Sequence, residues 1–165
     1  MNIVTNKGEY LDDLIANERV LLVFLRHFGC TFCRETMSEL AMARKDLEGS
    51  GVKIVIVHMV EFDVAQPILD LYDLDGLSHI SDENKLVYEN YGLSKTGFRA
   101  MFGVKNWWRA LVAGIFKGHL IGKPAGDPWQ MPGVFFLQER KVLNKFTYKF
   151  VSDRPDFVEL ARVRS

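Results

Sequence analysis

Residues 21–37 read LLVFLRHFGCTFCRETM and join an apolar strand to a helical pattern through a glycine turn. The apolar run ends before Arg26, and the only two cysteines of the chain follow the turn as Cys30 and Cys33. From Met37 onward, apolar residues recur with a period near 3.6, which predicts an amphipathic helix. A Cys-x-x-Cys pair between a strand and a helix is typical of redox-active cysteines.

The two cysteines are predicted to have different roles. Residues at i and i+3 share one face of a helix, within reach of a disulfide. Cys30 falls at the helix start, where unpaired N–H groups and the positive end of the helix dipole favour a thiolate. Arg26, His27 or Arg34 adds positive potential, and the sequence leaves open which of them points at the sulfur. Because Cys33 lies further into the helix, we predict that Cys30 attacks and Cys33 resolves.

Two other interpretations of the cysteine pair are weaker. The pair could be half of a zinc site or an inert buried pair, but a structural zinc ion usually takes four ligands. The remaining candidate ligands show no ligand spacing; they are His27, His58, His79 and His119. We therefore expect neither a bound metal nor a cofactor, because the two cysteine sulfurs would carry the chemistry.

Composition and charge limit the class of protein. A length of 165 residues predicts one domain over 1–165, and a hydrophobic content of 48% is enough for a real core. The formal net charge is zero, which gives no case for nucleic-acid binding. The first residues lack the basic and apolar regions of a secretory signal, so we expect a cytoplasmic protein whose thiols are kept reduced.

The hydrophobic pattern predicts an α/β fold with a central mixed sheet flanked by helices. Ser81 is the expected N-cap of a helix over 82–91, and Pro155 is expected to open the closing helix. A strand–helix–strand unit followed by a hairpin gives parallel first strands and places the cysteines at the carboxyl end of a central strand. The other predicted helices cover residues 9–16, 31–48 and 64–72, and the predicted strands cover 20–26, 52–57, 133–137 and 142–150.

A basic, aromatic segment interrupts this pattern before the last two strands. Residues 1–89 hold 16 acids and 8 bases, whereas residues 90–126 hold 6 bases and no acid. Its aromatic residues, Trp107 and Trp108 among them, have roughly helical spacing, which predicts a helical insertion at about 95–126. Such residues more often pack against a core, here a sheet face or a wall beside the redox site. The alternative is an amphipathic helix on anionic lipid, or a pocket for an acidic apolar substrate.

Four segments of the chain resemble known, related families. Residues 24–39, with Gly-Cys-x-x-Cys-Arg-Glu, resemble the active-site segment of thioredoxin-like reductases and of the alkyl hydroperoxide reductase/thiol-specific antioxidant superfamily. Residues 80–93 look like the peroxiredoxin-type Asp…Tyr…Gly-Leu stretch. Residues 126–135 and 153–156 look like the peroxiredoxin-like 2 family of antioxidant enzymes. The resemblance spans about residues 18–163 and implies a thioredoxin-like fold.

The chain departs from peroxiredoxins proper at two positions. Those proteins have a Thr three residues before the peroxidatic cysteine and an Arg just before a late strand. Cys30 and Pro132 stand at the corresponding positions here. At both positions the chain instead has the residue type found in thioredoxins, whose cis-proline faces the Cys-x-x-Cys pair. The resemblance therefore implies dithiol chemistry, a cis Met131–Pro132 bond, and pairing of the Met131 backbone with an extended substrate.

The resemblance implies a thiol–disulfide oxidoreductase with an antioxidant role. It would reduce peroxide-like or disulfide substrates and take electrons from a thioredoxin- or glutathione-type donor. The alternative is a redox-sensing or membrane-peripheral binding module that does not turn over.

Overall fold

The strand Arg19–Phe24 (β1) lies at the centre of a five-stranded sheet in the computed structural model. The structure describes residues 3–29, 31–93, 127, 129–149 and 153–162. The other strands are β2 (Val52–His58), β3 (Ser78–Ser81), β4 (Gly133–Gln138) and β5 (Lys141–Thr147). The helices are α1 (Leu11–Asn17), α2 (Thr31–Gly49), α3 (Phe62–Leu71), α4 (Leu86–Asn90) and α5 (Phe157–Leu160).

The sheet is mixed, as the sequence predicts. Its strand order is β3-β2-β1-β4-β5. β1 pairs in parallel with β2 and antiparallel with β4, so Leu22 lies opposite Val55 on one side and Phe135 on the other. β3 is parallel to β2, and β5 forms an antiparallel hairpin with β4. The expected α/β sheet flanked by helices is confirmed.

Side chains of β1 alternate between two hydrophobic cores, one on each face of the sheet. Leu21 and Val23 belong to the core that also contains the buried residues of α2, α3 and α5. Val20, Leu22 and Phe24 belong to the core formed with α1 and α4. Because strands of period 2 place successive side chains on opposite faces, an unbroken apolar run here means burial on both sides.

Several predicted boundaries change. β3 was not predicted: its sequence, Ser78 to Ser81, contains two serines and a histidine and carries no apolar run. Ser81 is therefore a strand residue, and its hydroxyl donates to the Val60 carbonyl instead of capping a helix. The helix predicted over 82–91 covers only Leu86–Asn90. Pro155 precedes the closing helix, which Asp156 caps by accepting from the Glu159 N–H. The predicted insertion at 95–126 lies outside the described residues.

Two buried histidines meet where β2 and β3 lie side by side. His58 Nε2 lies 2.7 Å from His79 Nδ1, and His79 Nε2 lies 3.0 Å from Gln66 Oε1. Burial lowers the pKa of His58 to about 3, with a further contribution from His79. Burial also lowers the pKa of His79. Both rings are therefore neutral in the folded protein at neutral pH.

This pair predicts a loss of stability on mild acidification. The folded-state pKa values lie below the ordinary 6.5. The unfolded chain therefore binds more protons than the folded chain as the pH falls below that value. Between pH 7 and pH 5 the pair should lower the free energy of unfolding by about 2 kcal/mol or more. Urea titrations at both pH values measure this change. The double variant His58→Gln/His79→Gln should lose less on acidification, and an equal loss in parent and variant would refute the assignment.

Candidate functional site

A small cavity lies at the carboxyl end of β1, where the chain turns into α2. Its polar lining comes from Arg26, Cys33, Thr36 and Tyr148, and Pro132 and the end of β1 complete it. The cavity brings together segments more than a hundred residues apart in sequence, because β4 and β5 lie on the side of β1 opposite to β2.

Of the two candidate redox cysteines, Cys33 lies among the residues that the structure describes. It is the third residue of α2, and only 5% of it is exposed. Its position in the first helical turn places the sulfur near the positive end of the helix dipole. Cys30 lies outside the described residues, so the geometry of the pair stays a prediction.

Two buried phenols lie near the Cys33 sulfur. Burial raises the pKa of Tyr148, and the charges of Cys33, Glu39 and Asp153 raise it further against a hydrogen bond with Thr36. Tyr88 is fully buried, and burial, with Asp82 and Cys33, raises its pKa as well. Both phenols stay protonated at neutral pH. They are hydroxyl groups next to the sulfur and do not supply anions.

The structure distinguishes among the three basic residues that lie near the cysteines in sequence. Arg26 lines the cavity with Cys33 and is only 8% exposed. His27 is half-buried. Arg34, although it directly follows Cys33 in sequence, is exposed. Arg26 is therefore the basic residue that shares the buried environment of the Cys33 sulfur.

Pro132 lies where the sequence places it, but its peptide bond differs from the expectation. Pro132 is buried and lines the same cavity as Cys33. Every peptide bond within the described residues is trans, so the expected cis Met131–Pro132 bond is wrong. Trans is the intrinsically favoured isomer of an X–Pro bond. The preceding segment is held by Gln130, whose side-chain N–H donates to the Leu93 carbonyl at 2.6 Å.

The chain packs tightly just after this proline. A Cβ atom at Gly133 would lie 2.7 Å from Leu93 Cδ2, so only glycine fits without moving that side chain. Met131 is half-buried, and its predicted contact with substrate backbone stays a prediction.

Asp82 positions the helix that carries Tyr88 to the site. Its buried carboxylate accepts from the backbone N–H groups of Leu86, Val87 and Tyr88 at 2.9, 2.8 and 3.1 Å. The Tyr88 hydroxyl donates to the Leu25 carbonyl, and it lies 3.1 Å from the Val57 carbonyl. Tyr88 thereby joins the carboxyl ends of β1 and β2 beside the cavity.

Sequence reasoning missed four of the residues around the cavity. Thr36 follows Cys33 by three residues, and this spacing alone places both on one helix face. Asp82 and Tyr88 lie within the segment that resembles peroxiredoxins, which was a usable signal. Tyr148 carries no local signal, because only the pairing of β5 with β4 brings it to the cavity.

The described residues show two further features of the chain. No helix among them is long and apolar enough to cross a membrane. No group of three or more His, Cys, Asp or Glu in this part of the chain is arranged to hold a metal ion.

Comparisons with known proteins agree with this architecture. A family model described as AhpC/TSA family matches residues 6–146. Prostamide/prostaglandin F synthase of Danio rerio is 28% identical over 98% of this chain and 81% of its own length. Peroxiredoxin-like 2C of Bos taurus is 25% identical over 76% of this chain, which spans 58% of that relative.

A solved structure shows the same fold. Peroxidoxin BcpB of Mycobacterium tuberculosis aligns with a TM-score of 0.65 and 16% identity, over 98% of this chain and 88% of its own. The peroxiredoxins and thioredoxin-like proteins share this arrangement of a mixed sheet between helices. The thioredoxin-like fold is confirmed, with the elements that carry the cavity in place.

Asp82 should contribute far more to stability than an ordinary helix cap. Asp82→Ala leaves three N–H groups without their acceptor in a buried place, and we expect a loss of about 2 kcal/mol or more in the free energy of unfolding. The matched control is Asp156→Ala, which removes an exposed cap from α5 and should cost about 0.5–1 kcal/mol. Chemical denaturation measures both variants. Equal losses would contradict the role assigned to Asp82.

Proposed function

The chain belongs to the AhpC/TSA family, and we propose that it reduces peroxide-like or disulfide substrates through the thiols of Cys30 and Cys33. Family and fold support thiol-dependent redox chemistry. One observation carries the proposal for this chain: Cys33 lies buried in the first turn of α2, in a cavity shared with Arg26 and Pro132. A cysteine buried at a helix start beside a cation can carry negative charge while it stays shielded from substrate, which suits the resolving sulfur of a cysteine pair.

The proposed cycle begins at Cys30. With a peroxide, the Cys30 thiolate attacks one oxygen, the O–O bond breaks, and the alcohol or water leaves while Cys30 becomes a sulfenic acid. The Cys33 thiol then attacks the Cys30 sulfur, water leaves, and a Cys30–Cys33 disulfide forms. With a disulfide substrate, Cys30 forms a mixed disulfide first, and Cys33 displaces the substrate thiol.

An external dithiol or two molecules of a monothiol close the cycle. The reductant attacks the protein disulfide, is itself oxidised, and returns two thiols to Cys30 and Cys33. A thioredoxin- or glutathione-type donor supplies these two electrons in the proposed role, which is antioxidant. No cofactor is needed, because both electrons pass through sulfur.

The Met131–Pro132 segment is the proposed contact for substrate. Pro132 is in the cavity with Cys33, and the half-buried Met131 precedes it. One relative is named prostamide/prostaglandin F synthase, so a lipid peroxide belongs among the compounds to be tested. Its O–O bond can be reduced by the same two sulfurs.

A second interpretation makes the chain a redox sensor or a membrane-peripheral binding module. The basic, aromatic stretch at 95–126 favours it, because such a sequence suits an anionic lipid surface. In that case the cysteine pair changes state once and does not cycle. Turnover separates the two interpretations, since an enzyme consumes many equivalents of reductant and a sensor consumes about one.

A steady-state assay tests the proposal. The purified chain is mixed with hydrogen peroxide, an organic hydroperoxide, a lipid hydroperoxide or a low-molecular-weight disulfide. NADPH consumption is followed through thioredoxin or glutathione recycling systems. We expect many turnovers with at least one substrate. Consumption of a single equivalent across the whole panel would reject the enzyme and favour the sensor.

Single cysteine variants test the two roles. Cys30→Ser should reduce turnover to the background rate, because the attacking sulfur is lost. Cys33→Ser should accumulate mixed disulfides visible by mass spectrometry, because no second sulfur displaces the bound thiol. Retained turnover in Cys30→Ser would reverse the assignment and make Cys33 the attacking sulfur.

A further inference from the structure

Arg26 is a nearly buried cation without an acidic partner among the described residues. Only 8% of the residue is exposed, and its Nε is buried with no hydrogen-bond acceptor in the described part of the chain. Every Asp and Glu of the sequence belongs to the described residues, and none of them forms an ion pair with Arg26. Buried charges are normally paired, because removing a cation from water is costly.

The cavity beside Arg26 offers one group that readily becomes an anion. The phenols of Tyr88 and Tyr148 have raised pKa values and stay neutral. The Thr36 hydroxyl does not ionise in this pH range. The remaining ionisable group in the lining is the Cys33 thiol, which is the group that the proposed cycle converts to a thiolate.

We propose that the Arg26 guanidinium is the counter-ion of the Cys33 thiolate that leaves when the Cys30–Cys33 disulfide is reduced. The proposal rests on the proposed function and adds a positioning residue to it. In that step the thiolate of the reductant attacks the Cys30 sulfur, and a new S–S bond forms. The Cys30–Cys33 bond breaks, and its electron pair goes to the Cys33 sulfur, which lines the same cavity as Arg26. The guanidinium makes Cys33 the better leaving group.

The other charged groups near the sulfur oppose this effect. Asp153 lies near Tyr148 and Asp82 lies near Tyr88, so both add negative potential around Cys33. Glu39 also lies near Tyr148, but it pairs with Arg154 at 2.6 Å, which offsets its charge. The helix start of α2 adds partial positive charge. Arg34 is exposed, where solvent screens its charge. Arg26 is therefore the full positive charge best placed to hold a thiolate at Cys33.

Stabilising this thiolate stabilises the reduced protein. It should make the cysteine pair more oxidising, since the reduction potential follows the stability of the dithiol form. It should also hold the Cys33 thiolate at a lower pH than a thiol without a cation nearby. Neither effect requires the protein to turn over a substrate.

The test uses Cys30→Ser as the background, so that Cys33 is the only thiol. The Cys33 thiolate is titrated by its ultraviolet absorbance and by the pH dependence of its alkylation rate. Arg26→Met should lower the thiolate population at pH 7 by about tenfold and move the profile to higher pH. Arg26→Lys, which keeps the charge, should restore most of the parent profile.

Two controls separate a direct charge effect from general damage. Arg34→Met removes an equal charge from an exposed position next to Cys33 and should leave the profile unchanged. Arg26→Gln serves in place of Arg26→Met if the latter does not fold, with thermal melts recorded for every variant. In the two-cysteine protein, Arg26→Met should shift the equilibrium with glutathione by about tenfold toward the disulfide, which is a change of about 30 mV.

An unchanged Cys33 profile in Arg26→Met overturns the inference, as does an equal shift in Arg34→Met or no recovery in Arg26→Lys. If Arg26 instead held a substrate carboxylate, only the KM of anionic substrates would rise while the Cys33 profile stayed in place. Failure of the proposed function has a different signature. The profile would then depend on Arg26 although the two-cysteine protein shows no turnover.

Discussion

Burial of β1 on both faces and hydrogen bonding along both edges is the constraint on which the site depends. The strand lies between β2 and β4, and its side chains enter two separate cores in turn. Each fully buried aliphatic side chain contributes about 1.5–3 kcal/mol. A shift of one residue in register would exchange the contents of both cores. The end of β1 is therefore fixed in space, and so are the residues that follow it toward α2.

The fixed end of β1 leaves buried backbone carbonyls that need hydrogen-bond donors, and the surrounding elements supply them. The Leu25 carbonyl lies just beyond the end of β1, and the Val57 carbonyl beside it already accepts from the Leu25 N–H at 2.9 Å. Tyr88 reaches both of them with one hydroxyl, and Asp82 holds the helix that carries it. Backbone groups that are buried without partners cost about as much as a lost hydrogen bond. The same arrangement places neutral hydroxyl groups around Cys33. Among the side chains that line the cavity, Arg26 supplies the full positive charge.

The sequence predicted those features that depend on local periodicity. β1, β2, α2 and the final hairpin follow from apolar runs and a 3.6-residue pattern, and the Cys-x-x-Cys pair marks the start of α2. The sequence did not predict β3, because four residues with two serines and a buried histidine show no strand pattern. The position of β3 depends on its pairing with β2 and on the hydrogen bond between His58 and His79.

The sequence likewise could not predict which side chains meet in the cavity. Proximity of Arg26 to Cys33 was one of three open alternatives, because the direction of a side chain after a strand end depends on the packing around it. Tyr148 joins the site only through pairing of β5 with β4. The peptide bond before Pro132 was inferred from a resemblance, and the trans form follows the intrinsic preference of the bond.

Burial of Cys33 and the charge on Arg26 act in opposite directions on the same sulfur. Desolvation disfavours a thiolate, whereas a neighbouring guanidinium favours it. A shielded sulfur without a cation would be a slow resolving group and a poor leaving group. An exposed sulfur with a cation would itself attract incoming substrates. Burial together with the cation keeps Cys33 away from substrate while leaving it able to carry negative charge, which is the combination that a resolving cysteine requires.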